Sequence, residues 1–354
     1  MIEIFAQSEA MREVLRLAER VAATDANVLV TGESGAGKDA LALHIHSHSR
    51  RSSQPFVKID CATLPSDLLE AELFGYERGA FTSAIEAKPG RFEAADKGTI
   101  VLDEIAYLTK NSQAKLLRVI ETREFERLGG RNTIKVDARL IALTNVDLTA
   151  AVRRRDFRED LFYRLDVVHI QLPPLRERAQ DLPKLVQSFL KTYAAKHGRK
   201  TTAIAPELMA LLKEYEFPGN VRELANTIER AVIIATGNRV EVSDLPEAIR
   251  AAVLTRRKRQ KPQSLAEVEA DYVAETLTAT RGNKTEAARI LGISRKNLYE
   301  RLARLEKGQG DTETRRDADE GTVGRRRPEN KATRSWGAQR IVKGSQGGSR
   351  LRKK

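Results

Sequence analysis

The chain has 354 residues, of which 41% are hydrophobic, and a formal net charge of +13. Its length predicts two or three domains, and its hydrophobic content is sufficient for packed cores. Its one cysteine, Cys61, excludes an internal disulfide and suits a reducing cytosol. Because the sequence has no run of 18 apolar residues and no signal-like N-terminus, we expect a soluble cytoplasmic protein without membrane association.

Helical and strand patterns alternate over residues 1–170. An amphipathic helix is predicted over Ser8–Ala22, and a second helix from Ala40. Short apolar strands are predicted at Val28–Thr31, Phe56–Asp60, Ile100–Asp103 and Arg139–Thr144. This alternation favours an α/β domain, a parallel sheet flanked by helices, with its ligand at the carboxyl ends of the strands.

A glycine-rich segment follows the first strand and has the spacing of a P-loop. It comprises Gly32, Glu33, Ser34, Gly35, Ala36, Gly37, Lys38 and Asp39. Backbone N–H groups of such a loop face phosphate, and Lys38 supplies an ammonium for the β- and γ-phosphates of a nucleotide. Asp39 departs from the usual Ser or Thr. The alternative is a glycine-rich turn without a ligand.

The apolar run Thr99–Glu104 ends in two carboxylates. Asp103 is suited to hold Mg²⁺, and Glu104 to polarise an attacking water. An acidic pair at a strand end can instead complement a helix N-terminus. With the P-loop upstream, the catalytic interpretation is favoured.

A run of small residues around one aromatic side chain is hard to explain as packing. The run comprises Gly79, Ala80, Phe81, Thr82, Ser83 and Ala84. An exposed aromatic residue on such a loop is more often a contact than a core element.

Residues 171–250 change character after Pro173 and Pro174. Helices are predicted over Asp181–His197, Pro206–Glu214 and Asn220–Thr236, with no convincing strand. A small helical domain is the simplest interpretation.

Much of the positive charge lies in two basic segments. Residues 251–263 are predicted as a basic linker, and residues 308–354 as a disordered tail with 13 Lys and Arg against 6 Asp and Glu. Such runs suggest affinity for polyanions, and solvated chain is the alternative.

Residues 264–307 have the pattern of a helix-turn-helix after an amphipathic helix, Ser264–Ala279, that can pair with a second copy. Thr285 or its neighbour is predicted to cap the first helix, Gly292 to make the turn, and Ser294 to cap the second. The predicted core is Ile290, Leu291, Ile293, Leu298 and Leu302. The outward residues, predicted to enter a DNA major groove, are Arg295, Lys296, Asn297, Tyr299 and Arg301. The alternative is a helical packing module without DNA.

Over roughly residues 5–305 the chain resembles the bacterial enhancer-binding proteins, the AAA+ ATPases that activate sigma-54 RNA polymerase. Their signature loop, Gly-Ala-Phe-Thr-Gly-Ala, is similar to residues 79–84. The resemblance implies that this loop contacts sigma-54, that ATP and Mg²⁺ are cofactors, and that residues 171–250 form an AAA+ lid. It also implies that a Fis-type helix-turn-helix binds upstream double-stranded DNA and that the subunits assemble into a hexameric ring, with dimerisation through the C-terminal domain.

The same resemblance assigns further site residues. Asn145 ends a strand similar to the family's sensor 1, and Arg222 lies in a segment similar to its sensor 2. Arg158 and Arg164 are candidate arginine fingers, which would act on the ATP of a neighbouring subunit. The alternative for any single arginine is a surface ion pair.

Several residues depart from the family pattern. Ser83 replaces a glycine of the signature loop, and Asp60 stands where the family often has Asn; Ala36 and Asp39 differ mildly. Because no receiver or sensor domain precedes the ATPase, we expect control by a separate regulator acting in trans or by abundance, unless the chain is a fragment. A DNA-binding regulator without sigma-54 coupling and a general AAA+ unfoldase are the competing hypotheses.

Overall fold

The structure is a computed structural model that describes residues 4–82, 84–201, 203–260 and 265–303. Contacts divide the chain into two units, residues 1–261 and 262–354. The first half of unit 1 contains the elements α1 Glu9–Ala22, β1 Val28–Thr31, α2 Lys38–Ser47, β2 Phe56–Asp60, α3 Ser66–Phe74, α4 Arg91–Ala94, β3 Thr99–Asp103, α5 Lys110–Thr122, β4 Glu124–Glu126, β5 Thr133–Lys135, β6 Arg139–Thr144, α6 Leu148–Arg153, α7 Glu159–Leu165 and β7 Val168–Gln171.

A parallel five-stranded sheet forms the centre of this half, with the strand order β2-β3-β6-β1-β7. Because side chains alternate across a strand, Leu29 packs into the core on one face of the sheet while Val28 and Val30 pack into the other. Helices cover both faces, and this confirms the predicted α/β fold class. The carboxyl ends of β1, β3 and β6, which are neighbours, therefore meet at one edge.

The four predicted strands occur, but the start of α2 differs from the prediction and three further strands, β4, β5 and β7, were not predicted. Helix α2 begins at Lys38 and not at Ala40, because Gly37, in the left-handed region at φ +106°, ends the loop directly before it. A fifth strand, β7, was missed. Its sequence, Val-His-Ile-Gln, is short and half polar, as suits a strand at the sheet edge.

The second half of unit 1 is mainly helical and has its own buried core. It contains α8 Leu182–Lys196, β8 Ala203–Ile204, α9 Pro206–Glu214, α10 Asn220–Ile234, β9 Arg239–Val240 and α11 Glu247–Gln260, with a 3₁₀ turn at Leu175–Asp181. The prediction of no strand here was wrong, since β8 and β9 pair over two residues each. The predicted linker is also helical as far as Gln260, because charge alone does not interrupt a helix and the breaker, Pro262, comes later.

Unit 2 contains α12 Leu265–Ala279, α13 Lys284–Ile290 and a last helix, α14, described over residues 295–303. Asn283, and not Thr285, caps α13 by accepting hydrogen bonds from the backbone N–H groups of Thr285 and Glu286. Gly292 makes the predicted turn at φ +67°, and the Ser294 hydroxyl accepts from the N–H of Asn297.

The small core of unit 2 contains Val273, Ala287, Ala288 and Leu298, with Leu291, Ile293 and Leu302 packed against it. Including Ile290 in this core was wrong, because its side chain is 52% exposed. On a helix with about 100° between residues, Ala287, Ala288 and Leu291 define the buried face, and Ile290 points away from its centre. The predicted tail and Ser83 lie outside the described residues.

Candidate nucleotide-binding site

The predicted P-loop forms a tight turn between β1 and α2. Gly35 and Gly37 have φ values of +74° and +106°, which favour glycine. The Lys38 side chain is 7% exposed, and its Nζ donates to the carbonyl oxygens of Gly32 (2.9 Å) and Glu33 (3.3 Å). Burial lowers the pKa of Lys38, and the nearby carboxylates act in the opposite direction. The loop backbone thus holds a cation at the start of a helix.

The acidic pair lies beside this cation. Asp103 ends β3, and Glu104 adopts the left-handed region at φ +53°. The Glu104 carboxylate accepts a hydrogen bond from the Asn145 N–H (3.2 Å) and lies 3.9 Å from Lys38 Nζ. Three predicted site residues from three neighbouring strand ends, β1, β3 and β6, are therefore brought together.

A second lysine, absent from the sequence prediction, neutralises the unusual acid of the P-loop. Lys58 Nζ lies 2.5 Å from Asp39 Oδ1 and 2.8 Å from Asp103 Oδ2. Burial alone would lower the pKa of Lys58, but hydrogen bonds to Asp103 and Asp39 outweigh it and raise the pKa. Lys58 shares a strand face with Asp60, whose Cα is paired with that of Asp103, so the pairing of β2 with β3 brings this lysine to the site.

Side chains of the helical half reach the same loop. Arg222 Nη1 donates to Ser34 Oγ at 3.0 Å, which brings the predicted sensor 2 arginine to the P-loop. The buried Arg178 donates to the Ala36 carbonyl at 2.5 Å. The P-loop is thus contacted from the lid side as well as from its own sheet.

The two candidate arginine fingers are exposed on or beside α7 and pair with acids outside the P-loop. Arg158 pairs with Asp160 (2.6 Å) and Arg164 with Glu121 (3.1 Å). The buried amide of Gln113 accepts from the N–H of Arg158 at 2.8 Å, so helix α5 fixes the backbone of this segment. Neither guanidinium is placed at the nucleotide site of its own chain.

The predicted contact loop closes on itself through its backbone. The Gly79 N–H donates to the Ala84 carbonyl (2.8 Å), and the Ala84 N–H donates to the Phe81 carbonyl (2.9 Å). The Phe81 ring is 36% exposed and meets the Tyr76 ring edge-on, with 4.9 Å between centroids. Its apolar surface is therefore partly available to a partner.

The candidate DNA-binding residues lie on α14. Arg295, Lys296, Asn297 and Tyr299 are exposed, as expected. Arg301, expected to face outward, is only partly exposed and forms an ion pair with Glu269 of α12, which places it at the flank of this surface. Lys284 Nζ lies 4.8 Å from the Tyr299 ring centroid, so a further cation adjoins the surface.

Comparison with known proteins decides the family. Residues 4–171 match the sigma-54 interaction domain, residues 176–262 the AAA+ ATPase lid domain, and residues 264–305 the bacterial regulatory proteins of the Fis family. The chain is 46% identical to the transcriptional regulatory protein ZraR of Escherichia coli over 298 residues, which are 84% of this chain and 68% of ZraR. This chain belongs to the sigma-54 activator family. The regulatory protein AtoC of the same organism is 45% identical over 84% of this chain and 67% of AtoC.

A similar solved structure supports the fold. NtrX from Brucella abortus, crystallised in complex with ATP, is 36% identical, with a TM-score of 0.65, over 86% of this chain and 69% of that chain. The predicted fold class, an α/β AAA+ P-loop ATPase fold with a helical lid followed by an all-α helix-turn-helix, is confirmed.

No helix in the described ranges is long and apolar enough to cross a membrane. The described residues also contain no group of three or more His, Cys, Asp or Glu side chains that would hold a metal ion.

Proposed function

We propose that this sigma-54 activator hydrolyses ATP and uses the energy to remodel the closed promoter complex of sigma-54 RNA polymerase while bound to upstream DNA. The observation that carries the proposal is the meeting of Lys38, Glu104 and Asn145 at adjacent strand ends, with Arg222 reaching the same loop from the lid. We place this activity in the cytoplasm.

ATP would bind on the P-loop, Gly32 to Asp39, with its phosphates against Lys38 and Arg222. Asp103 would hold Mg²⁺, since one or two carboxylates and nucleotide phosphates are the usual ligands of that ion. When bound, the ion would neutralise charge on the phosphates. Glu104 and Asn145 would orient the attacking water, because the Asn145 N–H already fixes the Glu104 carboxylate.

Catalysis would depend on assembly. Arg158 and Arg164 are exposed and directed to acids away from their own P-loop, so each is available to a neighbouring subunit. A hexameric ring would supply one of them to the neighbour's γ-phosphate. Dimerisation through the C-terminal domain and a regulator acting in trans belong to the same proposal.

The loop of residues 79–84, with Phe81 at its centre, would contact sigma-54, while Ser83 itself lies outside the described residues. The exposed residues of α14, together with Arg301 at their flank, would contact the DNA major groove. Tethering the ring to DNA raises its effective concentration at the promoter.

The test is open-complex formation by the purified chain, sigma-54 polymerase and a premelted promoter. Opening with ATP, and none with a non-hydrolysable analogue, supports the proposal. ATP turnover without opening would instead favour a DNA-binding regulator that has lost sigma-54 coupling and uses ATP only for assembly. The observation that favours this second candidate is Asp60, whose carboxylate accepts from the N–H of Ala62 at 2.9 Å. As an acceptor it cannot donate to Glu104 as the family's Asn can.

Lys58→Met is expected to weaken ATP binding about tenfold, because Asp39, in the P-loop itself, loses the ammonium that neutralises it and then repels the phosphates. Fluorescence titration with a labelled ATP analogue measures the effect. Lys97→Met, on an exposed lysine after α4, is the matched control and should bind normally. Unchanged affinity in Lys58→Met would show that the bridge has no role in nucleotide binding.

A further inference from the structure

Asn220, the first residue of α10, is fully buried between three segments of unit 1. Its Nδ2 donates to Glu33 Oε2 (3.0 Å) and to the Ser34 carbonyl (3.1 Å), both in the P-loop. Its Oδ1 accepts from the N–H of Leu175, at the entry to the lid, at 2.8 Å. A single amide thus joins the P-loop, the lid entry and the helix that carries Arg222.

The backbone around Asn220 is held in an uncommon conformation. Phe217 and Asn220 have φ values of +49° and +53°, which costs free energy in residues other than glycine. The Glu223 carboxylate supports the turn by accepting from the Gly219 N–H at 2.8 Å. A Cβ built on Gly35 would lie 2.3 Å from the Gly219 carbonyl oxygen, so the turn presses directly on the P-loop.

Glu33, the P-loop partner of Asn220, also binds a second residue of the lid side, Arg176. Arg176 donates to both of its carboxylate oxygens, at 2.7 and 2.9 Å. The hydrogen bonds from Arg176 and then Asn220 lower the pKa of Glu33 to about 2, so the carboxylate is charged at neutral pH. The lid therefore contacts the second residue of the P-loop through two donors of different kinds.

We propose that Asn220 is a positioning residue that couples the lid to the P-loop through Glu33, and that this coupling sets the affinity for ATP. The inference rests on the proposed function, because it concerns the nucleotide that the P-loop would bind. Asn220 acts through two other groups. It fixes the Ser34 carbonyl of the P-loop, and it begins the helix whose Arg222 donates to the Ser34 hydroxyl.

Asn220→Asp is the sharpest test, because it keeps the shape of the side chain and replaces the amide donor with a carboxylate. That carboxylate would face the Glu33 carboxylate and the Ser34 carbonyl, so both hydrogen bonds become repulsive. We expect labelled ATP to bind about 10- to 100-fold more weakly. KM for ATP should rise by a similar factor, with a smaller change in kcat. Asn238→Asp, the same change at an exposed lid position, is the matched control.

Recovery of ATP affinity in a double variant distinguishes coupling between Asn220 and Glu33 from a general loss of structure. Glu33→Gln alone places an amide between two donors, Arg176 and Asn220, and should also weaken binding. In the double variant Glu33→Gln with Asn220→Asp, the amide introduced at position 33 can donate to the carboxylate introduced at position 220, while its oxygen still accepts from Arg176. We therefore expect the double variant to recover at least about threefold of the affinity lost in Asn220→Asp, as strongly coupled neighbours do.

Asn220→Gly provides a folded variant without the amide, because glycine adopts a positive φ without strain. It should melt near the wild-type temperature and still bind ATP about tenfold more weakly. Wild-type affinity in this variant, or additive losses in the double variant, would overturn the coupling while leaving the proposed function intact. Failure of the wild-type chain to bind ATP would overturn both.

Discussion

Glu104→Gln should hydrolyse ATP at least about 100-fold more slowly than the wild type while binding ATP with similar affinity. The carboxylate lies at the end of β3, held by the Asn145 N–H at 3.2 Å and 3.9 Å from Lys38 Nζ. Glutamine preserves the shape of the side chain and its acceptor oxygen but removes the charge that polarises the attacking water. Single-turnover kinetics with bound ATP measure the step directly.

The matched control is Glu19→Gln, the same chemical change on the exposed face of α1, which should hydrolyse ATP normally. A second measurement, labelled-ATP binding, separates loss of hydrolysis from loss of the site. Near-normal turnover in Glu104→Gln would remove this residue from its assigned role. Loss of binding together with turnover would show that Glu104 acts on the P-loop, through Lys38, and not on the water.

The elements that the sequence predicted well are those whose signal is local. The strands at Val28–Thr31, Phe56–Asp60 and Arg139–Thr144 consist mainly of apolar residues, and they occur as predicted. Strand β7 was missed because its half-polar sequence does not indicate a strand. It is stabilised by pairing with β1, which is distant in the sequence.

The residues of the candidate site also fall into those that the local sequence indicates and those that it does not. The P-loop and the acidic pair are recognisable because their residues are neighbours in sequence and because binding phosphate requires those residue types at that spacing. Lys58 and Asn220 were missed because their roles arise from partners brought near by the fold. Asn220 and Glu33 are 187 positions apart. Among 62 Lys and Arg residues, sequence alone cannot select the one that neutralises Asp39.

Helix α11 shows the limit of composition as evidence. A dense run of basic residues predicted a linker, yet arginine and lysine are good helix formers and the helix continues from Glu247 to Gln260. The exposed Ile290 shows a complementary limit: an apolar residue next to a core position is not itself in the core when the helix turns it away.

Phe81→Ala is expected to keep ATP turnover within about twofold of the wild type and to reduce sigma-54 binding and open-complex formation at least about tenfold. Gly79 and Ala84 close the loop through backbone hydrogen bonds, which do not depend on the ring. The ring touches Tyr76 and is 36% exposed, so its removal deletes partner-facing surface more than internal packing. Trapping of sigma-54 with an ATP transition-state mimic measures the contact without the promoter.

Ile85→Ala is the matched control for Phe81→Ala, because Ile85 is an apolar side chain next to the loop with an exposed fraction of 77%. If any exposed apolar side chain here contributed to sigma-54 binding, both variants would lose binding equally. If Phe81 makes the specific contact, only Phe81→Ala would lose binding. Equal loss of ATP turnover and activation in Phe81→Ala would show that the ring supports the fold through Tyr76. Normal activation in that variant would show that the sigma-54 contact does not depend on Phe81 and would place it elsewhere on the chain.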